Sequence, residues 1–271
     1  MKYCFSLLGL FILTFSQAQD SLLIDQNFKT LFAIEGTHQH FTTDVLQNLY
    51  LIDEEGVLHK YTSNGELQYS YNDFQLGEPT LIDATNPFRL LLFYPDYLTI
   101  VSLDNTLSKT GEFDLYNLDF SFIETIAFSN SGNLWVYDPD AFQVKKIDRN
   151  LEPLLASNEL SFLLDQGLMP KLMIERNNWL YVNDPDLGIL IFDVYGQYSR
   201  NLSILNLDWF QVLRDQILYV KGEKYLSFDT RTLVTKPLSL PRKITKNSRI
   251  QLEQDRMYIL DGNGIEVFQF D

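Results

Sequence analysis

One short apolar run recurs six times along the chain, at intervals of about forty residues. Each copy combines aliphatic, aromatic and β-branched side chains, a composition typical of β-strands. The copies occupy residues 49–53, 90–94, 134–138, 180–184, 218–220 and 257–261. A chain that repeats one unit at this interval must bury the apolar surface of each unit against its neighbours.

The flanks of the run repeat as well. A polar turn and another strand-like segment precede it, as at residues 41–46 and 123–128. A second turn and a third strand follow, and hairpin turns such as Ser63-Asn64-Gly65 lead to a fourth. Four short strands in about forty residues is the pattern of a propeller blade.

The sequence therefore predicts an all-β fold, a six-bladed β-propeller whose ring is closed by an N-terminal strand. The last unit stops after its third strand, at Phe270 and Asp271. Two apolar runs before the first unit, residues 22–24 and 31–34, could each supply the missing strand. Closure would remove the sheet edges of the first and last blades. A large β-sandwich is the competing fold.

Two copies of the repeat resemble six-bladed propellers of the NHL/TolB-like type. They are residues 47–53 (QNLYLID) and residues 131–138 (SGNLWVYD). The resemblance extends over nearly the whole chain after the first residues, but it varies from unit to unit. It implies the fold and little about function, since such propellers include lyases, lactonases, carbohydrate binders and scaffolds.

The first 18 residues have the pattern of a cleaved signal peptide. Lys2 provides the positive charge, residues 5–15 are apolar, and Ser16-Gln17-Ala18 has small residues at the cleavage positions. We expect a single propeller domain over residues 19–271, exported to the periplasm and possessing no lipid anchor. A short buried N-terminal strand is the alternative. Cys4 is the only cysteine, so no disulfide or thiolate metal site is expected.

The charge balance restricts the class of partner. The formal net charge is −15 at pH 7, which repels nucleic acid and anionic lipid. The hydrophobic fraction of 45% argues against disorder. A neutral or locally basic partner is therefore expected, and no segment after the signal peptide is long enough to cross a bilayer.

Every turn between a second and a third strand contains a carboxylate, and such turns lie on one face of a propeller. We interpret them as an acidic rim that binds a partner. The rim comprises Asp53, Glu54, Glu55, Asp96, Asp138, Asp140, Asp184, Asp186, Glu223 and Asp261. The alternative is ordinary turn chemistry, since aspartate often accepts hydrogen bonds from its own turn.

Two similar apolar connections lead into innermost strands, at residues 116–122 and 205–210. We expect an aromatic patch beside the rim, formed by Phe120, Phe122, Trp209 and Phe210, as a protein contact or a sugar platform. Packing between blades is the alternative. The basic residues Arg242, Lys243, Lys246 and Arg249 indicate a solvated loop that pairs with rim carboxylates.

Catalytic chemistry has little support in the sequence. The innermost strands offer Asp44, Asp83, Glu124, Glu175 and Glu253, at positions that differ between units. His38 and His40 form a pair with no third ligand. We predict no catalytic residue, no metal site and no cofactor. Residues 157–167 indicate either a short helix on a propeller face or an irregular loop.

The expected function is that of a non-enzymatic interaction module in the envelope of a Gram-negative bacterium. An outer-membrane channel or a secretion complex is the partner we consider first, with the propeller as its accessory subunit. A metal-dependent, lactonase-like hydrolase or lyase with a site in the central channel is one alternative. A carbohydrate-binding propeller is the other.

Overall fold

Each unit of the repeat folds into one four-stranded antiparallel sheet. The computed structural model describes residues 26–271 except 119, 121, 130, 165 and 166. Within that part the strands are β1 (Phe28–Glu35), β2 (His38–Thr43), β3 (Leu49–Asp53), β4 (Leu58–Tyr61), β5 (Leu67–Tyr71), β6 (Leu81–Asn86), β7 (Arg89–Tyr94), β8 (Thr99–Asp104), β9 (Lys109–Asp114), β10 (Ile126–Phe128), β11 (Leu134–Asp138), β12 (Gln143–Ile147), β13 (Pro153–Ala156), β14 (Leu172–Arg176), β15 (Trp179–Asp184), β16 (Gly188–Asp193), β17 (Tyr198–Leu202), β18 (Gln211–Leu213), β19 (Gln216–Lys221), β20 (Lys224–Asp229), β21 (Thr235–Pro237), β22 (Arg249–Glu253), β23 (Arg256–Asp261) and β24 (Gly264–Phe270). The predicted six-bladed propeller is confirmed.

The ring closes through an N-terminal strand, as predicted. Strand β1 pairs antiparallel with β24 and completes the sheet β1-β24-β23-β22. Phe28 and Phe270 pack edge to face with ring centroids 6.2 Å apart. Residues 31–34 thus lie in the closing strand, whereas residues 22–24 and the predicted signal peptide, 1–18, lie outside the described residues.

The core consists of apolar clusters between adjacent blades. Side chains alternate along each second strand, so Tyr50 and Ile52 contact the blade formed by β6–β9, whereas Leu49 and Leu51 contact the blade that contains β22. Both sides of β3 are therefore buried. This explains why the recurring run is continuously apolar instead of alternating with polar residues.

The topology defines two faces. The first strand of each blade begins at the upper face, which carries the turns between second and third strands and the connections between blades. The lower face carries the turns between first and second strands and those between third and fourth. All predicted rim residues and the predicted aromatic patch belong to the upper face.

The connection between β13 and β14 has little regular structure. Residues Leu160–Phe162 form a single 3₁₀ turn, and residues 165 and 166 lie outside the described part. Of the two predictions for residues 157–167, the structure is closer to the irregular loop. Two further 3₁₀ turns span Pro95–Tyr97 and Tyr116–Leu118. No helix in the described ranges combines the length and apolar character needed to cross a membrane.

Replacing Gly264 by alanine tests the closing contact. Gly264 has φ +138°, and an added Cβ would stand 2.2 Å from the Ile34 carbonyl oxygen in β1. We expect Gly264→Ala to lower the free energy of unfolding by about 2–4 kcal/mol, measured by urea denaturation. Gly262→Ala is the matched control, because its Cβ would meet no atom within 4 Å. Equal stability of the two variants would contradict the importance of this contact.

Candidate functional site

The six innermost strands surround a central channel of about 1370 Å³. Its wall is formed by strands β2, β6, β10, β14, β18 and β22 and by the residues that precede them. The upper mouth is lined by Asp96, Phe122, Lys171 and Trp209, among others. The candidate site is this mouth together with the upper face around it.

The first aspartate of four rim turns is held by its own turn. Asp184 is only 2% exposed, and its Oδ1 accepts hydrogen bonds from the backbone N–H groups of Asp186 and Leu187. Its Oδ2 accepts a third, from the N–H of Met169, at 2.8 Å. Asp53, Asp138 and Asp261 cap their turns in the same way. These aspartates shape the face and present little surface to a partner.

Three of these aspartates also contact a basic side chain. Asp53 contacts the Nε2 atom of His59 at 2.8 Å, and Asp138 contacts the Lys145 ammonium at 2.5 Å. Arg242 bridges Asp261 at 2.8 Å and also contacts Glu266. Although burial alone would raise it, hydrogen bonds from His59 and the turn N–H groups hold the pKa of Asp53 below its ordinary value.

The exposed part of the rim is formed by the remaining carboxylates. Their side chains lie at the tips of the turns in five of the six blades. Water screens each carboxylate there, but the electrostatic fields of the separate carboxylates add together. They are Glu54, Glu55, Asp96, Asp140, Asp186 and Glu223.

The predicted aromatic patch is divided by burial. Phe122 is 49% exposed, and Phe120 is half-buried with the Lys145 ammonium 5.3 Å from its ring centre. Phe210 is fully buried in the cluster between the fourth and fifth blades, so it offers no surface. Trp209 is half-buried, and its ring contacts Phe41.

A larger apolar surface was missed by sequence reasoning. Phe162 is 84% exposed. Six more exposed apolar residues lie in upper-face turns and connections of blades two to four. We call this surface the apolar ledge; it comprises Tyr97, Tyr116, Phe122, Phe142, Phe162, Leu163 and Met169. The signal was present in residues 160–164, but their spacing was interpreted only as a short helix or an irregular loop, with no binding role.

The ledge rests on a fixed base. Leu160 is buried between the third and fourth blades, and its N–H donates to the Phe142 carbonyl at 2.8 Å. At the other end of the connection, Met169 donates to buried Asp184. The exposed side chains of Phe162 and Met169 therefore project from anchored backbone.

The channel carboxylates are mostly engaged in holding the fold. Glu175 accepts from the Trp135 indole N–H at 2.5 Å and pairs with Lys146 at 3.3 Å. Asp44 accepts from the Tyr50 hydroxyl and from the turn that follows it. Burial raises the pKa of Glu253 above its ordinary value. Among the residues described, no three His, Cys, Asp or Glu side chains converge as metal ligands would.

His38 and His40 differ in burial and in their hydrogen-bond partners. Both ring nitrogens of His38 are buried without a hydrogen-bond partner in the described structure. His40 lines the channel, and its Nδ1 lies 2.9 Å from the Arg249 guanidinium. Arg249 was expected on a solvated loop, but it is the first residue of β22 and enters the channel wall.

Comparisons with known proteins identify the fold alone. No family model matches the chain, and no curated protein matches it in sequence. A gluconolactonase from Xanthomonas campestris is 14% identical, with 92% of this chain and 91% of that chain covered and a TM-score of 0.63. A streptogramin B lyase is 13% identical, with 85% and 78% covered and a TM-score of 0.57. The Pan2 WD40 domain of Neurospora crassa is 8% identical, with 89% and 83% covered and a TM-score of 0.59. The chain has a six-bladed β-propeller fold, and its resemblance to the NHL/TolB-like type holds at the level of the fold.

Removing the Glu175 carboxylate should destabilise the protein because Lys146 is then left as an unpaired charge with little access to water. We expect Glu175→Leu to lower the free energy of unfolding by about 3–5 kcal/mol. The double variant Glu175→Leu, Lys146→Met should recover most of that loss in urea denaturation. A single variant as stable as the wild type would show that the pair is not structural.

The His40 ring should make stability depend on pH. Burial and the Arg249 charge lower the pKa of His40 to about 4, from 6.5 for an ordinary histidine. The unfolded chain therefore takes up a proton first, and stability falls as the pH drops from 6.5 towards 4. The His40 contribution is on the order of 3 kcal/mol.

The measurement compares urea denaturation of the wild type and His40→Gln across this pH range. The glutamine can still accept the hydrogen bond from Arg249 but does not titrate. The difference between the two curves should change as the pH falls from 6.5 and level off below about 4. Parallel curves would mean that the folded protein does not hold His40 neutral.

Proposed function

We propose that the protein is a non-enzymatic interaction module whose upper face binds a protein partner. The observation that carries this proposal is the apolar ledge, where large side chains such as Phe162 stand exposed on anchored backbone. Large apolar side chains exposed together on one face are common at protein–protein interfaces. Anchored backbone favours binding, because less conformational entropy is lost when the partner docks.

The charges beside the ledge support a partner of particular chemistry. Asp96, Asp140 and Asp186 are exposed on the turns that flank it. A partner with an apolar anchor surrounded by lysine or arginine complements both features. The acidic rim then accelerates association and excludes acidic competitors, while the ledge provides most of the binding free energy.

The cellular setting is part of the same proposal. The signal-peptide pattern of residues 1–18 supports export, and we place the protein in the periplasm. There it would act as the accessory subunit of a membrane-embedded assembly, with an outer-membrane channel or secretion complex as the partner. A rigid ring suits this role because it presents its upper face without a conformational change.

Site-specific photo-crosslinking in the native cell tests which face binds. A benzophenone amino acid at Phe162 or Leu163 should crosslink to one and the same protein. The matched control is Tyr195, which is 71% exposed on the lower face and should not give that product. The proposal is wrong if the lower face gives the same crosslink, or if a co-purifying partner crosslinks to neither ledge position.

Removing the ledge side chains should weaken the complex with the partner so identified. We expect Phe162→Ser with Met169→Ser to raise the dissociation constant by about 30-fold or more, as for a contact at the centre of an interface. Tyr195→Ser should leave it unchanged. Both variants alter exposed side chains, so their melting temperatures should match that of the wild type and exclude misfolding as the cause.

A further inference from the structure

An arginine without a carboxylate partner stands in the channel wall near the upper mouth. Arg249 is half-buried, and its Nη1 donates to the Gln39 carbonyl and to His40 Nδ1, each at 2.9 Å. Both acceptors are neutral. Within the described part of the chain, no Asp or Glu oxygen lies within ion-pair distance of this guanidinium. The arginine therefore lacks a direct ion-pair partner in the described structure, although Asp208 acts on it from a greater distance.

The hydrogen bond to Arg249 fixes the state of His40. A guanidinium can only donate, so His40 Nδ1 must be the acceptor. The neutral ring then carries its proton on Nε2. That atom has no acceptor among the described residues and is not sealed from solvent. His40 thus offers an N–H donor beside the unused N–H groups of Arg249.

The wall around these donors is apolar on one side. The Trp209 ring centre lies 6.0 Å from the Arg249 guanidinium carbon, and Phe41 packs on the same indole. The three residues that line this corner, His40, Trp209 and Arg249, come from three consecutive blades. The corner opens into a channel large enough to hold a small organic molecule.

We propose that this corner of the channel binds the carboxylate of a small organic monoanion. Arg249 would receive the carboxylate through its free N–H groups, His40 Nε2 would donate a further hydrogen bond, and Trp209 would contact the apolar part of the ligand. This inference does not rest on the proposed protein partner. It concerns a different surface, inside the ring.

The other charges that face the corner limit the ligand to a single negative charge. The Asp208 carboxylate acts on Arg249 from the neighbouring connection, and Asp96 lines the same mouth. Lys171, also at the mouth, is already paired with Glu124. A dianion or a polyphosphate would be repelled by Asp208 and Asp96, whereas one carboxylate gains more from Arg249 than it loses.

Calorimetry with a charge-matched pair of probes tests the proposal. Benzoate should bind the full-length mature protein with a dissociation constant on the order of 1 mM, and neutral benzamide should bind at least about tenfold more weakly. Inorganic phosphate, at a pH where it is mainly the dianion, should not compete. Equal binding of benzoate and benzamide, or no heat with benzoate up to about 20 mM, would overturn the proposal.

Three variants separate this corner from the rest of the channel. Arg249→Gln should weaken benzoate binding about tenfold or more, whereas Arg176→Gln, at the lower end of the channel, should leave it unchanged. Arg249→Lys keeps the positive charge but lacks the planar guanidinium. Its affinity for benzoate should lie between those of Arg249→Gln and Arg176→Gln. Wild-type affinity in Arg249→Gln contradicts the assignment. Since a misfolded variant would also lose binding, the Arg249 Nε–H resonance of the wild type provides a second reading: it must shift with benzoate and not with benzamide.

The source of the carboxylate is decided with a second pair of probes. N-acetylphenylalanine presents a peptide C-terminal carboxylate, and its amide is the neutral control. If the acid binds more tightly than benzoate, the ligand is a peptide terminus. If it binds more weakly while benzoate still depends on Arg249, the ligand is a free organic acid. If the binding of both acids is independent of Arg249, the proposal is refuted.

Discussion

The packing of each blade against the next holds this molecule together. In β11, Leu134 and Val136 enter the cluster with the preceding blade, and Trp135 and Tyr137 enter the cluster with the following one. Fully burying one such side chain contributes about 1.5–3 kcal/mol. A single blade leaves both of its surfaces in water, so stability arises only when every blade has two neighbours. The closing strand β1 matters for this reason, because its pairing with β24 joins the last blade to the first.

Cross-blade polar contacts fix how the blades align. Buried Asn183 of β15 donates to the Leu207 carbonyl at 2.7 Å, and buried Gln251 of β22 donates to the Thr43 hydroxyl at 2.7 Å. Hydrocarbon contacts are not directional, whereas a buried polar group that loses its partner destabilises the fold. The apolar clusters therefore drive assembly, and these hydrogen bonds select one alignment.

The fold could be predicted because the repeat carries the information many times over. The burial of individual connections could not. Residues 116–122 and 205–210 look alike in sequence, yet Phe210 is fully buried and Phe122 is half exposed. Phe210 directly precedes β18, so the strand draws it between blades, whereas three residues separate Phe122 from β10. Distance to the next strand is not enough, because three residues also separate Leu207 from β18 and yet Leu207 is buried. Packing between blades decides which side chains of a connection are buried, and the sequence pattern does not show that packing.

The roles of charged residues were difficult to predict from the sequence for a related reason. An aspartate that caps its own turn and one that points to solvent occur in the same dipeptide patterns, and only burial distinguishes Asp138 from Asp140. Arg249 was grouped with its basic neighbours, although its place at the start of β22 brings it into the channel. The end of β11 at Asp138 and the start of β22 at Arg249, and not the local charge pattern, assign these residues to their roles.

The two candidate binding places share one face and are therefore coupled by geometry. Lys171 lines the channel mouth only two residues after Met169, which belongs to the apolar ledge. A partner seated on the ledge would stand beside the side of the mouth that Lys171 lines. Because the backbone between the two residues is anchored by Asp184, this effect needs no conformational change. Under the two proposals, occupancy of one place would alter access to the other through steric exclusion, which is the form of coupling that a rigid ring permits.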